Sequence, residues 1–466
     1  MGTYPEVAGK RVTVVGMARS GVAAANLLTR LGAHVTVADQ KDERELAGPL
    51  AKLDAPRAHL ALGARYETAF ADPDFVVISP GVPSRTETLE IVRRRGGRVI
   101  GELELATQCF SMPIVAVTGT NGKSTTVTLI GKMLQEQGTP SFVGGNLGTA
   151  LSEAALAVYE AERAGMPVPF QYIVAEVSSF QLETIERFKP FVAALLNITT
   201  DHMDRYTSID DYIAAKARLF ENQGAADYSL VNLGDARVSD MSRRSRAARL
   251  AFTRGPALPA DFAGGVYLDG ERVTVSLQGV QTICNRTELR LLGAHNVDNA
   301  MAASIIARLC GCSIDAIRRV LLTFPGLEHA LELVRERRGV RFVNDSKGTN
   351  VDATLKALEG LDQPVWLIAG GKDKGGDFSR LTEAMARRTK GVVLIGEAAR
   401  LIEPAIPSGT KTYHAGSLRE AVRTAADHAV KGDMVLLSPA CASFDMFLDY
   451  QDRGRQFKAL VHALPE

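Results

Sequence analysis

The sequence predicts an α/β protein of three domains, each a mainly parallel sheet flanked by helices. Three observations lead there. The chain has 466 residues, which suits roughly three domains of ordinary size. Short apolar runs alternate with helical patterns along its length, as βαβ units require. The alternation restarts three times, each time behind a different opening motif, which places the domains at residues 1–101, 102–326 and 327–466.

In the first block, Arg11–Val15 reads as a strand, Gly16-Met-Ala-Arg-Ser-Gly21 as a glycine turn, and Ala23 to Arg30 as a helix. A second strand, His34 to Ala38, ends on Asp39. This nearly fits the dinucleotide-binding fingerprint, so a Rossmann-like domain is expected. Ala18 replaces the middle glycine, the one that lets a pyrophosphate approach the backbone. The turn is therefore weak support for NAD and leaves room for another nucleotide-like ligand with its diphosphate at the helix start. A strand at Phe75–Ile78 is cut off by Ser79-Pro80-Gly81, and Arg98 to Ile100 closes the block.

The second block opens with the strand Ile114–Val117, then Thr118-Gly119-Thr120-Asn121-Gly122-Lys123-Ser124-Thr125, then a helix from Ser124 to Gln137. Glycines let consecutive N–H groups turn toward one anion, and the helix start adds partial positive charge. Lys123 can reach the β- and γ-phosphates, and the Ser124 hydroxyl can ligate Mg²⁺. A P-loop NTPase-like domain binding ATP is expected. Glu176 ends the strand Tyr172–Glu176, and His202 follows the strand Val192–Asn197. Both should reach the carboxyl edge of the sheet, where ligands sit in such folds, and Mg²⁺ wants oxygen ligands. Val, Thr and Leu are frequent between residues 265 and 293, which predicts extra strands. A helix from Val297 to Leu309 and a Pro325-Gly326 turn finish the block.

Ser208 to Glu221 reads as a helix, with Ser208 as N-cap and Asp211 as the capping-box acid. Its apolar stripe is Ile209, Tyr212, Ile213, Leu219 and Phe220, and Lys216 falls in the middle of it. Two readings fit. The stem packs while the ammonium reaches water, or the amine is desolvated, its pKa falls and it reacts with CO₂ to give a carbamate that can ligate a metal.

The third block, expected to be Rossmann-like, has strands at Val340–Val343, Val365–Ala369, Gly391–Ile395 and Asp433–Leu437 with helices between.

Composition narrows the partners. Hydrophobic residues make up 46% and charged residues 23%, with a formal net charge of +1. This is ordinary for a globular protein and supplies no general field for nucleic acid or an anionic membrane. No apolar run reaches the ~18 residues of a spanning helix, and the first ten residues lack a targeting pattern. Five scattered cysteines, with no CxxC pair, point to reduced buried thiols and a cytoplasmic location.

The motifs together resemble the Mur ligase family, over essentially the whole chain. Thr118 to Thr125 resembles the phosphate loop that these ligases share with folylpolyglutamate synthases. Glu176-Val-Ser-Ser-Phe-Gln-Leu-Glu183 and Ser438-Pro-Ala-Cys-Ala-Ser443, with Asp445 following, resemble its D-glutamate-adding branch. The Asp-Asn-Pro-Arg segment of the diaminopimelate- or lysine-adding branch is not found.

The resemblance implies roles. Ser124 and Glu176 would hold one Mg²⁺, and His202 with a carbamylated Lys216 a second. Ser20, Asp39, Ser79 and Gly81 would lie along the UDP of UDP-N-acetylmuramoyl-L-alanine, with Asn146 toward its muramoyl part. Asn299 and Asp345 would contact adenosine, and Lys347 the ATP phosphates. Thr349, Lys374, Ser443, Phe444 and Tyr450 would form a D-glutamate pocket, with Tyr450 standing where some relatives have phenylalanine. Lys123, His202, Lys216 and Lys347 would serve catalysis, the chain would act as a monomer, and the third domain would close before reaction. Ala330 departs from the family pattern, which has an arginine there, implied to contact ATP phosphates; Lys347 or Arg335 could stand in, or the chain is impaired.

Rival readings are another amide ligase of the same fold, a nicotinamide-dependent oxidoreductase resting on the first glycine turn, and a nucleotide switch without turnover. Ala18 and the second phosphate loop argue against the oxidoreductase, and the motif-rich third block is more than a switch needs.

Overall fold

Strand Arg11–Val15 lies at the centre of a five-stranded, all-parallel sheet. Across that sheet the strands are His59–Leu62, His34–Asp39, Arg11–Val15, Phe75–Ile78 and Arg98–Gly101. The strand order reverses between Arg11–Val15 and Phe75–Ile78, so the glycine turn after Val15 and the Ser79-Pro80-Gly81 turn both emerge at the switch point, where such sheets bind ligands. The helix Arg19–Arg30 buries Gly21, Val22, Ala23, Ala24, Ala25, Leu27 and Leu28. Gly21 permits close packing, since a Cβ there would lie 1.8 Å from Gly16 O.

This computed structural model describes residues 4–146, 148–201, 205–243, 245–291 and 293–465. A second sheet has nine strands. Ile114–Thr118 is buried along its length and is flanked in parallel by Val192–Leu195 and Tyr172–Glu176. The strand ends that carry the phosphate loop, Glu176 and Asn197 are thereby gathered at one edge. The extra strands expected between 265 and 293 are Gly264–Asp269, Arg272–Ser276 and Val280–Asn285. One apolar cluster runs from Val12, Val14 and Val37 of the first sheet to Ile114, Ile173 and Leu195 of the second. The two sheets accordingly share one compact unit, Met1–Ile198 with Tyr206–Cys284 and Met301–Val320.

The other unit, Thr199–Arg205 with Asn285–Ala300 and Leu321–Glu466, holds a six-stranded sheet. Its order is Glu332–Arg337, Val340–Asn344, Met434–Leu437, Val365–Gly370, Thr389–Ile395 and Lys411–His414, parallel except for the first pair. Separate apolar clusters cover its two faces.

Several boundaries differ from expectation. The Val192 strand stops at Leu195 rather than Asn197, because Asn197 turns to bond the phosphate loop. The helix at Ser208 runs Ile209–Ala217 and tightens to a 3₁₀ turn at Arg218–Phe220, while Ser208 Oγ accepts from Asp211 N at 3.2 Å, as a cap should. Strand Ser141–Gly145 was not expected, since its sequence ends in two glycines with little strand propensity. All five cysteines are free and buried. Among the described residues no helix is long and apolar enough to cross a membrane.

Candidate active site

The phosphate loop is built by glycine conformation and by a clamp from a neighbouring strand. Gly119 takes φ +152° and Gly122 φ +86°, directly before the helix Lys123–Glu136. A Cβ at Gly119 would lie 3.1 Å from Leu196 Cβ, so the loop passes close over the next strand's end. Asn197 grips the loop apex. Its side chain accepts from Asn121 N at 2.8 Å and donates to Asn121 O at 3.0 Å, and its carbonyl accepts from Thr120 N at 3.0 Å. Lys123 Nζ donates to Gly119 O and Thr120 O, both at 2.8 Å, so the ammonium lies over the loop where an anion would sit.

Ser124 Oγ donates to Glu176 Oε2 at 2.6 Å, and Glu176 Oε1 accepts from Asn146 Nδ2 at 3.0 Å. Glu176 is only 1% exposed. A hydroxyl and a carboxylate so close offer oxygen donors of the kind Mg²⁺ takes. Thr120 and Thr125 are also buried, and Thr120 Oγ1 is 3.1 Å from the Tyr212 hydroxyl.

Burial bears on one point of the two readings of Lys216. It is 2% exposed, so its ammonium does not reach water. The amine donates to Gly119 O at 3.0 Å and Thr118 Oγ1 at 3.3 Å, and lies 4.8 Å from the Tyr212 ring centroid. Lys216 is thus a part of the loop's surroundings. His202 lies outside the described residues.

At the first sheet's edge, Asp39 organises the glycine turn: its carboxylate accepts from Met17 N at 2.7 Å and Lys41 N at 2.9 Å. Ser79 Oγ donates to Gly16 O at 2.8 Å. Ser20 sits in the first turn of the following helix, and Gly81 is exposed in the turn that Ser79 opens. Arg19 was not singled out from sequence. Its guanidinium donates to Asn146 O at 3.1 Å, linking the glycine turn to the residue that holds Glu176. A basic residue at the start of that helix was the only signal.

In the second unit, Asp345 is buried and accepts from Ser438 Oγ at 2.7 Å and Leu331 N at 3.1 Å. Burial pushes its carboxyl up to about 7. Thr349 N donates to Lys347 O, which puts those two residues in one tight turn, and Lys347 N donates to His329 O of a separate segment. Asn299 is buried and donates to Asn296 Oδ1 at 3.0 Å. Ser443 is buried, Lys374 exposed, and Phe444 68% exposed. Tyr450 opens the helix Tyr450–His462, its ring edge-on to His329. Ala330 lies between two residues of positive φ, His329 (+66°) and Leu331 (+46°). Arg335 is not a stand-in for the missing arginine: its Nη1 donates to Val461 O, His462 O and Leu464 O, closing the last helix.

Comparisons with known proteins follow this layout in order. Residues 10–101 match the Mur ligase MurD-like, N-terminal domain, residues 117–307 the Mur ligase middle domain, and residues 331–441 the Mur ligase, glutamate ligase domain. A protein of Geobacter metallireducens named UDP-N-acetylmuramoylalanine--D-glutamate ligase is 44% identical over 460 residues, 98% of each chain. One of the same name from Pelotomaculum thermopropionicum is 43% identical over 458 residues, 98% of each. Among solved structures, the MurF ligase of Thermotoga maritima in complex with ADP has a TM-score of 0.59 at 15% identity, covering 98% of this chain and 96% of its own. A pseudomurein peptide ligase type C from Methanothermus fervidus has a TM-score of 0.58 at 17% identity, covering 97% and 99%. The structures carry the fold, and the full-length sequence matches carry the family. With a phosphate loop, a buried serine–glutamate pair and three matching domains in one order, this chain belongs to the Mur ligase family.

Proposed function

We propose that this chain joins D-glutamate to UDP-N-acetylmuramoyl-L-alanine at the expense of ATP, a step of peptidoglycan assembly. The observation that carries the reading is the Ser124–Glu176 pair at 2.6 Å beside a clamped phosphate loop. The full-length identity to relatives of that name supplies the choice of substrates.

The L-alanyl carboxylate attacks the γ-phosphorus; the new O–P bond gives an acyl phosphate as the bond to ADP breaks. The amine of D-glutamate then attacks the acyl carbon, loses a proton, and phosphate leaves. Little covalent work falls to the protein, so positioning and charge dominate. Lys123 leaves the carbonyls of Gly119 and Thr120 to meet the γ-phosphate. Ser124 and Glu176 would hold a Mg²⁺, which supplies positive charge to the phosphate oxygens when bound. A second Mg²⁺ on His202 and carbamylated Lys216 belongs to the same reading, and the burial of Lys216 against Gly119 supports it. Asp39, Ser79, Ser20 and Gly81 line the diphosphate's approach, with Asn146 beyond them. Asn299, Asp345 and Lys347 serve the nucleotide, and Thr349, Lys374, Ser443, Phe444 and Tyr450 the amino acid.

The test is ATP-dependent phosphate release with UDP-N-acetylmuramoyl-L-alanine, scanned over amino acids of both hands. D-Glutamate alone should drive it. Comparable rates with L-glutamate, or with a diamino acid, would overturn the assignment.

A further inference from the structure

Arg453 sits in the helix Tyr450–His462 and is 0% exposed. A buried charge is costly unless its hydrogen bonds are met. Here the guanidinium donates to a hydroxyl and three carbonyls. Nε donates to Ser346 Oγ at 2.9 Å, Nη2 to Ser346 O at 2.9 Å and Cys441 O at 3.2 Å, and Nη1 to Ala442 O at 3.4 Å. Burial brings its pKa down to about 10, which leaves it charged at neutral pH.

The partners lead to every segment of the amino-acid pocket proposed above. Ser346 adjoins Lys347 and lies three residues before Thr349, and its Oγ donates to Tyr450 O at 2.8 Å. Cys441 and Ala442 precede Ser443. Ala442 and Lys372 exchange backbone hydrogen bonds at 2.9 and 3.0 Å, two residues before Lys374. Gly371 is packed against the same group: a Cβ there would lie 3.2 Å from Arg453 Nη1. One planar fork therefore ties two separate stretches of chain by hydrogen bonds and packs against a third, which Ala442 holds in turn.

We propose that Arg453 is a positioning residue that sets the geometry of the amino-acid pocket and through it the choice of D- over L-glutamate. The inference rests on the ligase reading. Telling one hand from the other requires several contacts held at fixed spacing around one tetrahedral carbon. Letting one loop drift relative to the others erodes that choice. Lysine cannot replace the fork, since an ammonium is a point charge on a flexible stem.

The experiment uses the full chain carrying Arg453→Lys and, separately, the milder Ser346→Ala. Two reactions are followed. One is ligation with D- and with L-glutamate. The other replaces the amino acid by hydroxylamine, whose nitrogen attacks the acyl phosphate and expels phosphate to leave a hydroxamate, without using the pocket. Both variants should raise KM for D-glutamate and lower the D/L ratio of kcat/KM by about 10-fold or more, while hydroxamate formation stays near wild type. An unchanged D/L ratio in the folded variants, or hydroxamate formation falling in step with ligation, overturns the proposal. If Arg453→Lys does not fold, Ser346→Ala decides. A wild-type chain that makes hydroxamate but joins no D-glutamate would instead overturn the ligase reading beneath it.

Discussion

The ammonium of Lys123 lies 2.8 Å from two carbonyl oxygens of its own loop, and no backbone group of the chain can replace its charge toward a phosphate. Lys123→Ala should lower turnover by about 100- to 1,000-fold or more with the fold intact by circular dichroism; near-normal turnover would sink the assignment of the loop. Ala330 offers the opposite test. Arg335 is committed to the end of the last helix, which leaves Lys347 as the cation already proposed at the phosphates. Restoring arginine at position 330 should improve ATP use by about 10- to 100-fold, since charge-assisted hydrogen bonds are worth roughly 1.5–3 kcal/mol. Unchanged turnover and ATP affinity in Ala330→Arg would assign the role to Lys347. Asp345 carries a pH prediction. Its folded pKa of about 7 lies above the ordinary carboxylate value of 3.8, so the native state holds its proton longer than the unfolded chain. Its stabilising contribution is complete below the unfolded value and is lost as pH rises through about 7. Thermal melts should show a Tm that falls between pH 5 and 8 in the parent and falls less in Asp345→Asn; identical pH slopes would refute a raised pKa.

At the scale of elements, the phosphate loop is shaped as much by the neighbouring strand as by its own glycines. Asn197→Ala removes two side-chain hydrogen bonds to Asn121, together worth about 1–3 kcal/mol, and should weaken nucleotide binding by roughly 5- to 150-fold. Equilibrium binding of a fluorescent ATP analogue measures this without turnover, and unaltered affinity would mean the loop holds its shape unaided. The first glycine turn depends on Gly21, where a Cβ would collide with Gly16 O at 1.8 Å. Gly21→Ala should lower Tm by several degrees and weaken binding of the UDP substrate; a full-length variant as stable as the parent would show that the helix can shift. Much of this was legible beforehand. The strands at Arg11, Phe75, Ile114 and Tyr172 stand out because each is a short, mostly apolar run rich in Val, Ile or Ala, as buried parallel strands are. Strand Ser141–Gly145, with its two terminal glycines, has no such run, and its place is settled by pairing with Tyr172–Glu176.

At the scale of the molecule, the first two sheets share one apolar cluster, so they should unfold together. Hydrogen exchange under mild denaturant should open residues 11–101 and 114–195 at one denaturant concentration, whereas separate openings would show two independent domains. The sequence by itself determined the alternation of strand and helix, the three restarts, the glycine loop before Lys123 and the strand end that carries Glu176, because hydrophobic periodicity and glycine placement are local properties. It also carried the family resemblance, because motif residues are read in order along the chain. Only the tertiary structure decided that Lys216 is buried against Gly119, that Arg335 closes a helix end, and that Asn197 and Arg453 tie distant segments together. Those facts depend on which strands lie side by side, and contacts between residues 76 and 107 positions apart leave no trace in local pattern.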